Sequence, residues 1–264
     1  MKDAYQRPTN FETTESLISA GSNLPCEVLD FVCLRSNERK LRKSLNTIIF
    51  DMDGIIFDTE NMFLDCWRRI AAEYNLKDID EVYRRVIGFH AEATKALYMD
   101  FYGQDFDYDK LNGLTIDMFF QKADTEGIPV KSGAKEILEY LSENNYQIGL
   151  ASSTAAHLVK QQLGNAGLLK YFKVVVGGDM VEKSKPSPDI FLEACRKIGT
   201  PPEKAYAIED SFNGVRAAYS AGMKVIMVPD IVKPDEEIKK LTVKILPNLL
   251  EVRDYFILQE NANM

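Results

Sequence analysis

At 264 residues the chain is long enough for a full α/β core and a modest second domain, and an apolar share of 45% suits a globular protein that folds without staples. A formal charge of −8 argues against a general nucleic-acid or membrane-surface binder, since those display a basic patch, and an anionic ligand would need local compensation. Cys26, Cys33, Cys66 and Cys195 have neither CxxC nor metal-ligand spacing and read as reduced, mostly packed thiols rather than a zinc site.

The amino terminus lacks a signal peptide's hydrophobic segment and no run of eighteen apolar residues follows, so the expected location is cytoplasmic. Residues 1–45 read as an extension outside the core, solvated and partly disordered, in which Cys26 to Leu45 can form one amphipathic helix ending in Arg39, Lys40, Arg42 and Lys43. Then comes Thr47-Ile48-Ile49-Phe50, a β-prone apolar run expected of a strand covered on both faces. It delivers Asp51 and Asp53 into a turn at Gly54. Carboxylates at the edge of a core are costly unless something positive faces them, and the carboxyl end of a strand is where open α/β sheets place ligands. Taken alone, DxDG also fits an Asx-type turn that merely ends a strand.

Thr59 can cap a helix in which Phe63, Trp67, Ile70, Ala71 and Tyr74 share one face, a stripe read as core. Further helices are expected over Asp80 to Ile87, Ala91 to Phe101 and Asp109 to Asp124, and nothing between 59 and 130 reads as a strand. Beyond Pro129 short apolar runs alternate with helices, the pattern of βαβ units and a parallel sheet: strands at Ile148 to Ala151, Val174 to Val176, Tyr206 to Ile208 and Val225 to Val228, with helices from Gly133, Ala155, Pro188 and Ser211. The strand before Asp51 must find partners some eighty residues later, which makes the helical block an insertion over the sheet's carboxyl edge, in a lid's position.

Each later strand also ends in a polar residue. Ser152-Ser153-Thr154 can bind phosphate oxygens at a helix start, or serve as an ordinary N-cap. Pro186 and Pro188 bracket Lys185 in a stiff frame, with Lys183 as its nearest competitor. Glu209 and Asp210 close another strand, with Ser211 or Asp210 able to cap the next helix. Two strands of one sheet finishing in carboxylates repel each other unless a cation bridges them, and hard oxygen ligands suggest Mg²⁺.

With these segments in order, DMDGIIFDTE at 51–60, ASST at 151–154, SKPSPD at 184–189 and EDSFNG at 209–214, the chain resembles the haloacid dehalogenase superfamily, in its helical-cap branch of phosphatases and β-phosphoglucomutase-like enzymes. The resemblance covers about residues 46–250. It implies a Rossmann-like parallel sheet with helices on both faces, built from 46–58 and 131–250, a helical cap over 59–130 and a C-terminal helix or tail over 251–264. It also implies Asp51 as nucleophile forming an aspartyl-phosphate, Asp53 as general acid and base, and Ser152, Ser153 and Lys185 on the phosphoryl oxygens. Mg²⁺ would be held by the Asp51 carboxylate, the Asp53 backbone carbonyl and the Asp210 carboxylate, with Glu209 just behind. The implied partner is a small phosphorylated metabolite, handled by a monomer or weak dimer. A β-phosphoglucomutase-like mutase stays open, although Phe63 stands where a cap histidine is expected and no arginine follows Gly88; a non-catalytic binding protein also stays open. His90, after the cap turn, is a candidate substrate contact, while His157 reads as structural or solvated.

Overall fold

A computed structural model describes residues 47–87, 91–231 and 233–262. The expected N-terminal extension with its candidate helix, Cys26, Cys33 and His90 lie outside these residues. Six parallel strands form the sheet: β1 Thr47–Phe50, β2 Gln147–Ser152, β3 Val174–Gly177, β4 Ala205–Glu209, β5 Lys224–Met227 and β6 Lys244–Ile245, in the spatial order β3-β2-β1-β4-β5-β6. Strand order reverses direction beside β1, and in such sheets the crevice outside the carboxyl ends at that point is where ligands bind.

The two-residue period of β1 divides the core. Ile48 and Phe50 point into one apolar layer with Ile137, Leu141 and Val159; Ile49 points into the other with Phe191, Ile198 and Val215. The helices that supply these layers are α5 Ala134–Glu143, α6 Ala156–Asn165, α7 Asp189–Ile198 and α8 Phe212–Ser220, with α9 Glu236–Leu241 beside α8. At the C-terminus α10, Leu249–Ala262, lies against α5, and Val252 and Phe256 are buried in the first layer, so this helix is part of the sheet's packing. Neither β6 nor α9 was read from the sequence, because a two-residue edge strand and a six-residue helix carry little periodic signal, whereas α10 falls on the stretch expected as a C-terminal helix or tail over 251–264.

Between β1 and α5 stand four helices, α1 Thr59–Glu73, α2 Ile79–Val86, α3 Ala91–Tyr102 and α4 Tyr108–Glu126, each within two residues of expectation. Thr59 is the first helical residue rather than its cap; Asp58 precedes it and makes no side-chain capping bond. The helices bury a cluster of their own around Leu64, Trp67, Val82 and Leu111, with the Trp67 and Tyr98 rings stacked at 4.9 Å. Of the expected stripe, Trp67, Ile70 and Ala71 are in this core, Tyr74 reaches the surface and Phe63 faces a cleft. The two chain segments joining these helices to the sheet are paired: Asp58 N–H donates to Pro129 O and Lys131 N–H to Ile56 O, while the Lys131 ammonium binds Asp230 at 2.8 Å and Asp58 at 3.4 Å. That pairing seats the helical cluster above the carboxyl ends of the strands. Among the described residues no helix is long and apolar enough to cross a membrane.

Candidate active site

Because β1 lies between β2 and β4, with Phe50 opposite both Leu150 and Ile208, the ends of three strands reach one level. Asp51 leaves β1, Ser152 closes β2, Glu209 closes β4 with Asp210 next, and Lys185 enters on the loop between β3 and α7. The Lys185 ammonium donates to Asp51 Oδ1, to Glu209 Oε1 at 2.6 Å and to the Ala151 carbonyl at 3.2 Å, and lies 5.0 Å over the Phe191 ring. Its side chain is 8% exposed. Lys183, the competitor two residues earlier, points to solvent.

Glu209 is fully buried and both of its oxygens are taken: Oε1 by Lys185, Oε2 by the backbone N–H of Asp210 and Ser211 and by the Ser211 hydroxyl. Ser211 in turn accepts from Gly214 N–H and caps α8. Glycine is required at 214, where a Cβ would stand 1.8 Å from Glu209 Oε1, and at 54, where φ is +77° and a Cβ would stand 2.1 Å from Asp210 Oδ2. Both motif glycines are therefore clearances for a carboxylate, Gly214 for Glu209 at the end of the preceding β4 and Gly54 for Asp210 from the neighbouring strand.

Asp51, Glu209 and Asp210 offer carboxylate oxygens that all lie within 4.8 Å of one another. One ammonium faces them, and no hydrogen bond or ion pair among the described residues engages the Asp210 carboxylate. An all-oxygen donor set with surplus negative charge fits a hard divalent cation, and since Glu209 is saturated, Asp51 and Asp210 have the oxygens to spare. The Asp53 side chain turns away from this cluster and accepts from the hydroxyls of Ser152 at 3.4 Å and Thr154 at 3.3 Å, which leaves its backbone carbonyl as what it could give a cation. Ser153, expected on substrate, has an exposed side chain, and Thr154, named with it in the hydroxyl loop but given no role of its own, donates to Asp53.

Burial dominates the electrostatics. It pushes the Asp51 carboxyl up from 3.8 to about 8, against the pull of Lys185 and with the push of Glu209 and Asp53. Asp210 is raised well above the ordinary range by burial, Glu209 and Asp51, and Asp53 is raised by burial that Thr59, Lys185, Thr154 and Ser152 only partly offset. For Lys185, burial opposes the charge, but Asp51 and Glu209 outweigh it and hold the ammonium protonated. A carboxyl whose folded pKa lies above its unfolded one binds more protons in the folded chain, so its stabilising effect is present at low pH and lost as pH rises through the folded value. The melting temperature of metal-free protein is therefore expected to fall as pH is raised from about 5 to about 8, with millimolar divalent cation flattening the slope. A metal-free melting temperature that climbs over that range would contradict this account.

Next to Asp53 the helical cluster borders an open cleft of about 300 Å³, lined by Asp53, Thr59, Glu60, Phe63, Tyr83 and Phe119. Sequence reasoning missed Glu60, Tyr83 and Phe119. Glu60 had a visible signal, as an acid one residue into α1 that shares a helix face with Phe63; Tyr83 and Phe119 come from α2 and α4 and carried none. His157 is exposed on α6.

A doubly wound sheet whose switch point gathers three carboxylates and a buried lysine defines a hydrolase-type active site. The chain belongs to the haloacid dehalogenase-like hydrolase family, whose model matches residues 48–228. It is 32% identical over 184 residues, 69% of this chain and 84% of the relative, to a phosphorylated carbohydrates phosphatase of Thermotoga maritima. It is 31% identical over 225 residues, 80% of this chain and 73% of the relative, to the mitochondrial (DL)-glycerol-3-phosphatase 1 of Arabidopsis thaliana. In fold it superposes on β-phosphoglucomutase from Clostridium difficile with a TM-score of 0.60 at 20% identity, covering 82% of this chain and 97% of that one.

Proposed function

We propose that this protein is a Mg²⁺-dependent phosphatase that hydrolyses a small phosphorylated metabolite, a sugar, polyol or nucleoside phosphate, through an aspartyl-phosphate on Asp51. The observation that carries the reading is the Lys185 ammonium buried between Asp51 and Glu209, with Asp53 on the cleft side and Asp210 beside them. A carboxylate is a poor nucleophile toward an anionic phosphate until positive charge offsets the repulsion, and Lys185 supplies part of that charge in a site where charges are weakly screened.

In the first half-reaction an Asp51 oxygen forms a bond to phosphorus while the bond from phosphorus to the leaving oxygen breaks, and Asp53 gives that oxygen its proton. Its burial-raised pKa favours holding a proton for this step. In the second, Asp53 takes a proton from water, the water oxygen bonds to phosphorus, and the Asp51 carboxylate leaves as inorganic phosphate forms. Lys185, Ser152 and the backbone at Ser153 hold the phosphoryl oxygens. Mg²⁺, held by the Asp51 and Asp210 carboxylates and the Asp53 backbone carbonyl, supplies further charge neutralisation when bound. Residues 59–130 act as the cap that shields the reaction from bulk water, and the core of 46–58 and 131–250 carries the chemistry. The same reading has the protein acting in the cytoplasm on a free metabolite, as a monomer or weak dimer.

The relatives named as phosphatases support hydrolysis over mutase chemistry, as does an aromatic residue, Phe63, at the cap position where a mutase places histidine. Purified protein should release phosphate from p-nitrophenyl phosphate, lose that activity to a chelator and regain it with Mg²⁺. Phosphorus NMR on sugar phosphates should show inorganic phosphate and no isomer. An isomer without free phosphate would assign the site to mutase chemistry, and turnover indifferent to the chelator would remove the metal from the proposal.

A further inference from the structure

Resting on the phosphatase reading, we infer that the cleft beside Asp53 selects a leaving group that is uncharged and hydroxylated, the phosphomonoester of a polyol or neutral sugar, and excludes compounds with a second anionic group, with Glu60 as the residue that enforces the choice. The cleft lining is of two unlike kinds, one aromatic and one acidic. Phe63 and Phe119, ring centroids 5.7 Å apart, make up the first with Tyr83 6.2 Å from Phe63, an aromatic surface on which the C–H face of a polyol can lie. Glu60 belongs to the second, part-buried, with one carboxylate oxygen taken by the Tyr83 hydroxyl at 2.6 Å.

That arrangement fixes Glu60 in orientation and leaves its second oxygen as an acceptor for a substrate hydroxyl. A hydroxyl donates to it; a carboxylate or second phosphate would meet a like charge. Among the described residues that line the cleft there is no lysine or arginine, while two are acids, Asp53 and Glu60. Lys131, whose charge is felt at Glu60, is already engaged by Asp230 and Asp58. Lys185 does not line the cleft, is already paired with Asp51 and Glu209, and on the phosphatase reading serves the transferred phosphoryl group rather than a second anion.

The experiment compares substrate pairs that differ only by CH₂OH against carboxylate: glycerol 3-phosphate with 3-phosphoglycerate, and sorbitol 6-phosphate with 6-phosphogluconate, each read as kcat/KM for phosphate release with p-nitrophenyl phosphate in parallel. The neutral member is expected to be favoured at least ~10-fold in each pair. Glu60→Gln keeps the size and one acceptor but removes the charge, and should shrink that ratio at least ~3-fold. A merely structural role for Glu60 would lower both members alike and leave the ratio untouched. Equal or better turnover of the acidic members by the native protein, or an unchanged ratio in Glu60→Gln, would overturn the inference while phosphate release still stands. No release from any compound, the aryl phosphate included, would overturn the phosphatase reading and this inference with it.

Discussion

Asp51→Asn is expected to lower phosphate release at least ~10³-fold, because the replacement has the shape of the carboxylate but no nucleophilic oxygen to give to phosphorus. The fold should survive: Lys185 keeps its contact with Glu209 at 2.6 Å, and the amide occupies the same space. Removing one of several buried carboxylates also relieves repulsion, since Glu209 and Asp53 both push against Asp51. Without metal, the variant should therefore melt no lower than the native chain near pH 8, and the rise in melting temperature that Mg²⁺ gives the native chain should be largely lost. Kinetics and thermal melts with and without Mg²⁺ read both effects on one preparation. Turnover above a tenth of native would remove Asp51 from the role of nucleophile.

Lys185→Met carries the largest stability effect. Among the described residues the ammonium is the only side-chain partner of Glu209 Oε1, and Glu209 is 0% exposed, so its loss strands a buried charge. Breaking a buried pair from one side costs about 3–5 kcal/mol, which for a domain of this size lowers the melting temperature by roughly 6–20 °C. Activity should vanish with it, since the phosphoryl group loses its fixed cation. Pairing Lys185→Met with Glu209→Gln separates the two consequences: the double variant should recover part of the melting temperature, because the stranded charge is gone, yet stay inactive. Recovery of turnover along with stability would mean that Lys185 serves the fold alone.

Strand ends and residue types were legible in the sequence because both are local. Thr47 to Phe50 declares a buried strand by its own composition, and Asp51, Asp53, Glu209, Asp210 and Ser152 declare themselves by following such runs. The prolines around residue 185 distinguished it from Lys183 for the same reason. Glu60 was in plain view but unassigned: a single acid in the first turn of a helix is explained equally well by the helix dipole. That Ser152 and Thr154 face Asp53 while the Ser153 side chain is exposed left no mark in the sequence, since which hydroxyl of three faces inward depends on how the chain turns after β2. Gly214 illustrates the same limit. As a helical glycine it looks merely permissive, and only its distance to Glu209, on a strand end nearby, shows why a side chain cannot stand there.

The inventory and order of the parts could be read from the chain alone: an acid pair after a strand, a hydroxyl loop, a framed lysine and a second acid pair are each written within ten residues, and the helical insertion declares itself by its periodicity. Which of these groups meet is fixed by how the chain packs over long range. Lys185 and Asp51 are 134 positions apart along the chain, and the cleft joins Glu60 to Tyr83 and Phe119 from three different helices. Such contacts are set by strand order and by the seating of the helices over the sheet, which depend on burying both apolar faces at once and leave no local mark on the residues they bring together.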